Sequence, residues 1–378
     1  MEWGGEGMKN LNVMIKPASS LCNMRCKYCF YADVASHREI CSHGVMSEDT
    51  ADRILANLRA ELNEGDRVCF TFQGGEPTLA GLSFFEHFIS KTAYWQGIQI
   101  SYALQTNGIL IDETWCAFLK RCDFLVGVSF DLLPDVHDRT RIGAQGKGTY
   151  DKVLSAIRLL RRHGVRFNVL CTLTGEIARH PERVWNQLIK LDIDYVQFTP
   201  CLGELDKPAS GDVYALTPKR FAAFYTRLFA LWYRDYRVGK YRSVKLFDDV
   251  VNLAVLGIPT SCGMSGYCQP QLVVEADGST YPCDFYCLDA YCMGNLTEHT
   301  VSELLATQAL KDFLAHVPTL PALCDTCRYR RFCGGNCKRM RREICCDAAD
   351  SVCGYRDFLD QCGPALFELA ERVRKSRG

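Results

Sequence analysis

The stretch Lys16-Pro17-Ala18-Ser19-Ser20-Leu21-Cys22-Asn23-Met24-Arg25-Cys26-Lys27-Tyr28-Cys29-Phe30-Tyr31 constrains this chain more than any other. Its cysteines are separated by three and then two residues and follow an apolar run over 11–15. Thiolates so spaced can converge on one metal centre, and no fourth Cys or His follows nearby. A structural zinc site is closed by four protein ligands, whereas a site that binds substrate keeps a position open. A cubane iron–sulfur cluster usually has a Cys thiolate on each of its four irons. Three thiolates therefore leave one iron free to hold a small molecule. By spacing alone, zinc, a disulfide and unpaired buried thiols stay open as alternatives.

At 378 residues the chain can bury a large core, and its length suggests two or three domains. Lys plus Arg and Asp plus Glu both number 44, so no net field attracts nucleic acid or anionic lipid. The first seven residues lack the apolar core of a signal peptide, and nowhere do eighteen apolar residues run together. These features predict a soluble, cytoplasmic protein with no nucleic-acid or membrane partner. Twenty-two cysteines in such a chain are far above ordinary usage. In a reducing compartment clustered cysteines point to metal ligands before disulfides.

Apolar strand-like runs over 11–16, 68–72, 98–104, 124–130, 167–173 and 195–198 alternate with helical patterns. The helices are expected near 47–62, 82–92, 112–120, 150–163 and 179–190. Ser47, followed by Asp49 and Asp52, reads as a helix cap with an acidic first turn. Six strand–helix units predict an α/β fold, a partial (β/α)6 TIM-like barrel with its site at the carboxyl ends of the strands. Motifs fall at those ends: Gln73-Gly74-Gly75-Glu76-Pro77, Gln105-Thr106-Asn107-Gly108 and Ser129-Phe130-Asp131, the last followed by His137 and Arg141. Taken singly, the first two are turns and Asp131 caps the next segment. Between 219 and 256 an aromatic stripe, including Phe221, Phe224, Tyr225, Phe229 and Trp232, reads as core.

The three-Cys spacing with Tyr28, and these motifs in this order, resemble the radical S-adenosylmethionine (SAM) enzymes. The resemblance implies that Cys22, Cys26 and Cys29 hold a 4Fe-4S cluster whose open iron binds S-adenosyl-L-methionine beside Tyr28. Gly74, Gly75 and Glu76 would line the methionine amino group. Ser129 and Asp131 would hold the ribose, and Arg141 would approach the carboxylate.

The carboxyl-terminal third carries more than half of the cysteines. Cys324, Cys327, Cys333 and Cys337 form one run; upstream, Cys262 and Cys268 precede an Asp277-Gly278 hairpin turn that leads to Cys283. Paired Cys-x2-Cys elements suit zinc at least as well as iron. The layout resembles the SPASM extension of radical SAM enzymes, which holds two auxiliary 4Fe-4S clusters in a small Cys-rich α+β domain. Carried over, Cys262, Cys268, Cys283 and Cys337 hold the first, and Cys324, Cys327, Cys333 and Cys353 the second. Cys345, Cys346 and Cys362 compete with Cys353 for the last place. The implied domains are a barrel over 8–236, a helical bridge over 237–260, the SPASM domain over 261–355 and a terminal helix over 356–378.

The segments Ser261-Cys262-Gly263-Met264, Tyr281-Pro282-Cys283-Asp284-Phe285-Tyr286 and Phe72-Gln73-Gly74-Gly75-Glu76-Pro77 are similar to the anaerobic sulfatase-maturating enzymes. That family oxidises an active-site Cys or Ser of a sulfatase to Cα-formylglycine, using a 5′-deoxyadenosyl radical to remove a Cβ hydrogen. The resemblance makes Asp284 the base for the target's side-chain proton and the auxiliary clusters the exit for an electron. It sets Tyr31 and Gln73 near the peptide. It implies an unfolded or nascent sulfatase with a Cys/Ser-x-Pro-x-Arg motif as substrate, a flavodoxin- or ferredoxin-like electron donor, and a monomer. Two other readings are another peptide-modifying SPASM enzyme, forging a thioether or carbon–carbon crosslink, and a zinc-binding interaction protein. Crosslinking enzymes often carry a peptide-binding domain before the barrel, and only about ten residues precede the first expected strand here.

Overall fold

The structure is a computed structural model that describes residues 9–207, 212–346 and 351–377. The amino-terminal segment through Met8, read above for targeting and for the barrel's start, lies outside them, as do 208–211, 347–350 and Gly378. Among the described residues ten strands run in chain order: β1 (Asn10–Ile15), β2 (Arg67–Phe72), β3 (Gln99–Thr106), β4 (Leu125–Ser129), β5 (Arg166–Leu173), β6 (Tyr195–Pro200), β7 (Ser243–Val244), β8 (Leu272–Val274), β9 (Ser279–Tyr281) and β10 (Gly294–Asn295). Strands and helices alternate through β6, the α/β pattern that the apolar periodicity predicts. Chain contacts divide into two compact units, one from the described residues of 1–128, 142–167 and 270–316, the other from 129–141, 168–269 and 317–378.

In the first unit β1, β2, β3 and β4 pair in parallel, Asn10 opposite Arg67 and Ala103 opposite Leu125. Alternation decides what each face buries: Leu11, Val13 and Ile15 on β1 and Val68, Phe70 and Phe72 on β2 are buried. Helix Leu82–Thr92 lays Phe84, Phe85 and Phe88 on that face, with the Phe72 ring 4.8 Å from Phe85 and 5.1 Å from Phe88. Each such ring contributes about 1.5–3 kcal/mol by leaving water. Caps fix where helices begin. Ser47 Oγ accepts the Thr50 N–H at 3.0 Å, as expected, and Asp112 Oδ1 accepts that of Trp115 at 2.9 Å. Two seven-residue helices, Phe30–Ser36 and Pro134–Thr140, are too short to show a period in sequence and were not expected.

The Asp277-Gly278 hairpin forms, with β8 and β9 antiparallel and Gly278 at φ +92°. Its placement is the surprise. Strand β8 also pairs in parallel with β1, Val13 opposite Leu272, and the Lys16 N–H donates to the Val274 carbonyl at 2.8 Å. Residues 270–316, expected to lie within a separate Cys-rich domain, thus extend the sheet of the first unit.

In the second unit β5, β6 and β7 are parallel. The aromatic stripe is core: helix Pro218–Tyr236 buries Phe221, Phe224, Tyr225, Phe229 and Trp232. Phe229 stands 5.3 Å from Phe247, and Phe221 6.2 Å from Tyr355 of the last helix, Gly354–Arg377. Among the described residues no helix is long and apolar enough to cross a membrane.

Candidate active site

The loop after β1 turns sharply, with Ser19 at φ +48°. Cys22 and Cys26 are half-buried and Cys29 is exposed, at the start of helix Phe30–Ser36. The motifs that end β2 and β3 meet this loop. Gly75, at φ +51°, lies against the loop so closely that a Cβ would stand 2.2 Å from the Leu21 carbonyl oxygen. A Cβ on Gly74 would meet Lys16 Cγ at 2.7 Å. The glycines are needed for close approach. Glu76 is buried, and its carboxylate binds the loops together. Oε1 accepts Thr78 N–H at 3.1 Å and Thr106 Oγ1–H at 2.7 Å; Oε2 accepts Asn107 N–H at 2.7 Å. Burial pushes its pKa up, against these bonds. Asn107, which sequence reasoning left as a turn residue, directs its amide to Cys22 Sγ at 3.8 Å and to Asn23 Oδ1 at 2.7 Å. Cys22 also feels the Cys29 thiol. Tyr28 is half-buried in the same loop.

Asp284 opens the 3₁₀ turn Asp284–Tyr286 directly after Cys283. Its Oδ1 binds the Lys16 ammonium and its Oδ2 accepts Gln73 Nε2–H at 2.6 Å. Lys16 is fully buried, with Nζ 3.7 Å from the centre of the Tyr31 ring. Burial opposes its charge, but Asp284, Cys287 and Glu275 outweigh it and raise the pKa. The Tyr31 hydroxyl donates to Glu275 Oε1, which also accepts Arg38 Nη1–H at 2.7 Å. Lys16, Arg38 and Glu275 were missed in sequence. The one available signal was a lysine closing an otherwise apolar strand.

In the second unit Ser129 ends β4, half-buried. Asp131 does not cap the following helix, whose cap position is Leu133. Its Oδ1 instead accepts the Thr172 N–H at 3.1 Å, and its own N–H donates to His137 Nδ1 at 3.2 Å. Leu132, where a small residue suits the turn, takes φ +63°. Arg141 is buried, whereas neighbouring Arg139 sits at the surface with Glu176.

The later cysteines group as well. A Cβ on Gly263, beside Cys262, would stand 2.6 Å from Cys337 Cβ, and Gly266 packs as tightly on Gly334. The Cys268 thiol feels both Cys337 and Cys262. Cys283, expected to complete this set, ends the hairpin of the first unit. Cys324, Cys327, Cys333 and Cys353 line one cavity with Cys345. Thiol hydrogen bonds from Cys345 and Cys346 hold the Cys353 pKa well below the ordinary thiol range. Cys345 itself is pushed far up, and burial lifts Cys362 to about 12. No disulfide joins the described cysteines. Among the described residues no three of His, Cys, Asp or Glu close around a single ion. The shared cavity of Cys324, Cys327, Cys333 and Cys353 and the mutual approach of Cys262, Cys268 and Cys337 are consistent with cluster binding.

Residues 17–186 match the radical SAM superfamily, and residues 262–328 match SPASM, an iron-sulfur cluster-binding domain. The protein is therefore a radical SAM enzyme with a SPASM extension, and its cofactors are S-adenosylmethionine and 4Fe-4S clusters. The cysteine-type anaerobic sulfatase-maturating enzyme of Clostridium novyi (strain NT) is 39% identical over 335 residues, 88% of this chain and 89% of that one. The enzyme of that name from Clostridium perfringens (strain ATCC 13124) is 38% identical over 373 residues, 97% of this chain and all of the other. A structure described as native anSMEcpe with bound AdoMet and Cp18Cys peptide superposes with a TM-score of 0.88 at 37% identity, covering 96% of this chain and 99% of that one. The chain belongs to the anaerobic sulfatase-maturating enzymes.

Proposed function

We propose that this enzyme oxidises a cysteine in a Cys-x-Pro-x-Arg segment of an unfolded or nascent sulfatase to Cα-formylglycine. The relatives reported above are cysteine-type, which favours Cys over Ser as the target. The observation that carries the reading is Asp284, a carboxylate gripped on both oxygens at the carboxyl ends of β1 and β2.

In this reading Cys22, Cys26 and Cys29 hold the cluster that binds SAM. Gly74, Gly75 and Glu76 sit by its methionine amino group, Ser129 and Asp131 by its ribose, and Arg141 by its carboxylate. Cys262, Cys268, Cys283 and Cys337, and then Cys324, Cys327, Cys333 and Cys353, hold the auxiliary clusters. When bound, these groups supply one-electron removal of a Cβ hydrogen and an exit for the second electron. The protein supplies the proton chemistry. Asp284 accepts the target's side-chain proton, leaving a thioaldehyde that water converts to the aldehyde with release of hydrogen sulfide. Gln73 holds Asp284 and borders the peptide; Tyr31, engaged with Glu275, forms the wall beneath. We further propose a flavodoxin- or ferredoxin-like electron donor, a monomer, and work in the cytoplasm, where so many thiols stay reduced.

The test incubates reduced protein with SAM and Cys-x-Pro-x-Arg and Ser-x-Pro-x-Arg peptides, read by mass spectrometry. The cysteine peptide should convert to the aldehyde, with 5′-deoxyadenosine formed. Asp284→Asn should still cleave SAM yet yield little aldehyde. Normal aldehyde yield from that variant would sink the base assignment.

A further inference from the structure

A fully buried lysine needs an account. Replacing a buried ion pair by apolar residues of similar volume is often neutral or stabilising, so stability alone does not explain Lys16. Its position does. Lys16 follows β1 directly and Gln73 follows β2, so the two groups that grip Asp284 are anchored at the ends of paired strands. Asp284 itself belongs to a short 3₁₀ turn in the chain's carboxyl-terminal third.

We propose that Lys16 is a positioning residue that fixes the Asp284 carboxylate, and that Tyr31 with the buried Arg38–Glu275 pair fixes Lys16. The inference rests on the reading of Asp284 given above. Lys16 Nζ bonds one carboxylate oxygen and lies on the Tyr31 ring face, where the ring quadrupole favours a cation. The Tyr31 hydroxyl is anchored to Glu275, and Glu275 is held by Arg38, whose Nη2 also donates to the Cys41 carbonyl at 3.0 Å. The side chains of Lys16, Arg38 and Glu275 are all essentially inaccessible to water. Gly74 has no side chain at the place where Lys16 passes, so the sequence leaves room for that ammonium. Two cations and two carboxylates alternate, and Asp284 is the member beside Cys283.

The experiment uses the full-length, cluster-loaded enzyme and four variants: Lys16→Met, Lys16→Arg, Asp284→Asn and the double variant Lys16→Met/Asp284→Asn. Three quantities are read: formylglycine formed per 5′-deoxyadenosine, the peptide KM, and the thermal midpoint. Lys16→Met should lower the ratio about tenfold or more, with the peptide KM little changed. Lys16→Arg should recover most of it. The double variant should be no less coupled than Asp284→Asn alone, and should melt higher than the two single losses add to, because no orphan charge stays buried. A parent-like ratio in Lys16→Met, or additive losses in the double variant, overturns the proposal. If Lys16→Met fails to load its clusters, the double variant and Asp284→Asn decide by the same comparison. A parent-like ratio in Asp284→Asn instead removes the base reading itself, whatever Lys16 does.

Discussion

His137 illustrates how a single buried group ties the second unit to pH. Burial first, and then the Arg141 charge, lower its pKa from 6.5 to about 3. The imidazole is neutral in the fold and accepts the Asp131 N–H. A depressed pKa contributes stability above the unfolded value of about 6.5, lost progressively as pH falls toward 3. By pH 5 the loss should be about 2 kcal/mol. Urea unfolding at pH 7 and pH 5 measures it. In His137→Asn, whose amide oxygen can take the same N–H without titrating, the acid loss should shrink. An unchanged loss would place the acid sensitivity elsewhere.

At the scale of elements, the first cluster loop is shaped by contact with the loop after β2. Gly75→Ala places a methyl group where the Leu21 carbonyl oxygen stands, in a left-handed backbone that Ala resists. The loop carrying Cys22 must shift, and the Glu76 N–H to Leu21 carbonyl bond of 2.8 Å must break. The variant should lose the amino-terminal cluster and keep the auxiliary iron, a fall of about a third in bound iron. Iron analysis with electron paramagnetic resonance of the SAM-responsive signal checks this. Full iron with a normal signal would mean that the loop tolerates the methyl group.

For the whole molecule, the carboxyl-terminal third completes the amino-terminal one. Strand β8 covers the β1 edge, and Glu275 and Asp284 balance Arg38 and Lys16. A chain cut after residue 260 would expose a strand edge and leave two cations buried without partners. Such a truncation should be insoluble or fail to load its first cluster, even though Cys22, Cys26 and Cys29 are all present. A soluble fragment that binds iron at that loop would show that the barrel segment stands alone.

Sequence alone determined the strand–helix order, the caps at Ser47 and the hairpin at Asp277-Gly278, because periodicity and turn chemistry are local. Spacing also picked out Cys324, Cys327 and Cys333, which line one cavity, because that pattern is local. Tertiary structure decided the rest. No local pattern says that β8 joins β1, and nothing near Lys16, Arg38 or Glu275 in the chain names their partners more than two hundred residues away. Asp131, a cap when taken singly and a ribose ligand by resemblance, bonds the Thr172 N–H of β5 for the same reason: hydrogen-bonding capacity is written in the residue, but the partner is chosen by packing.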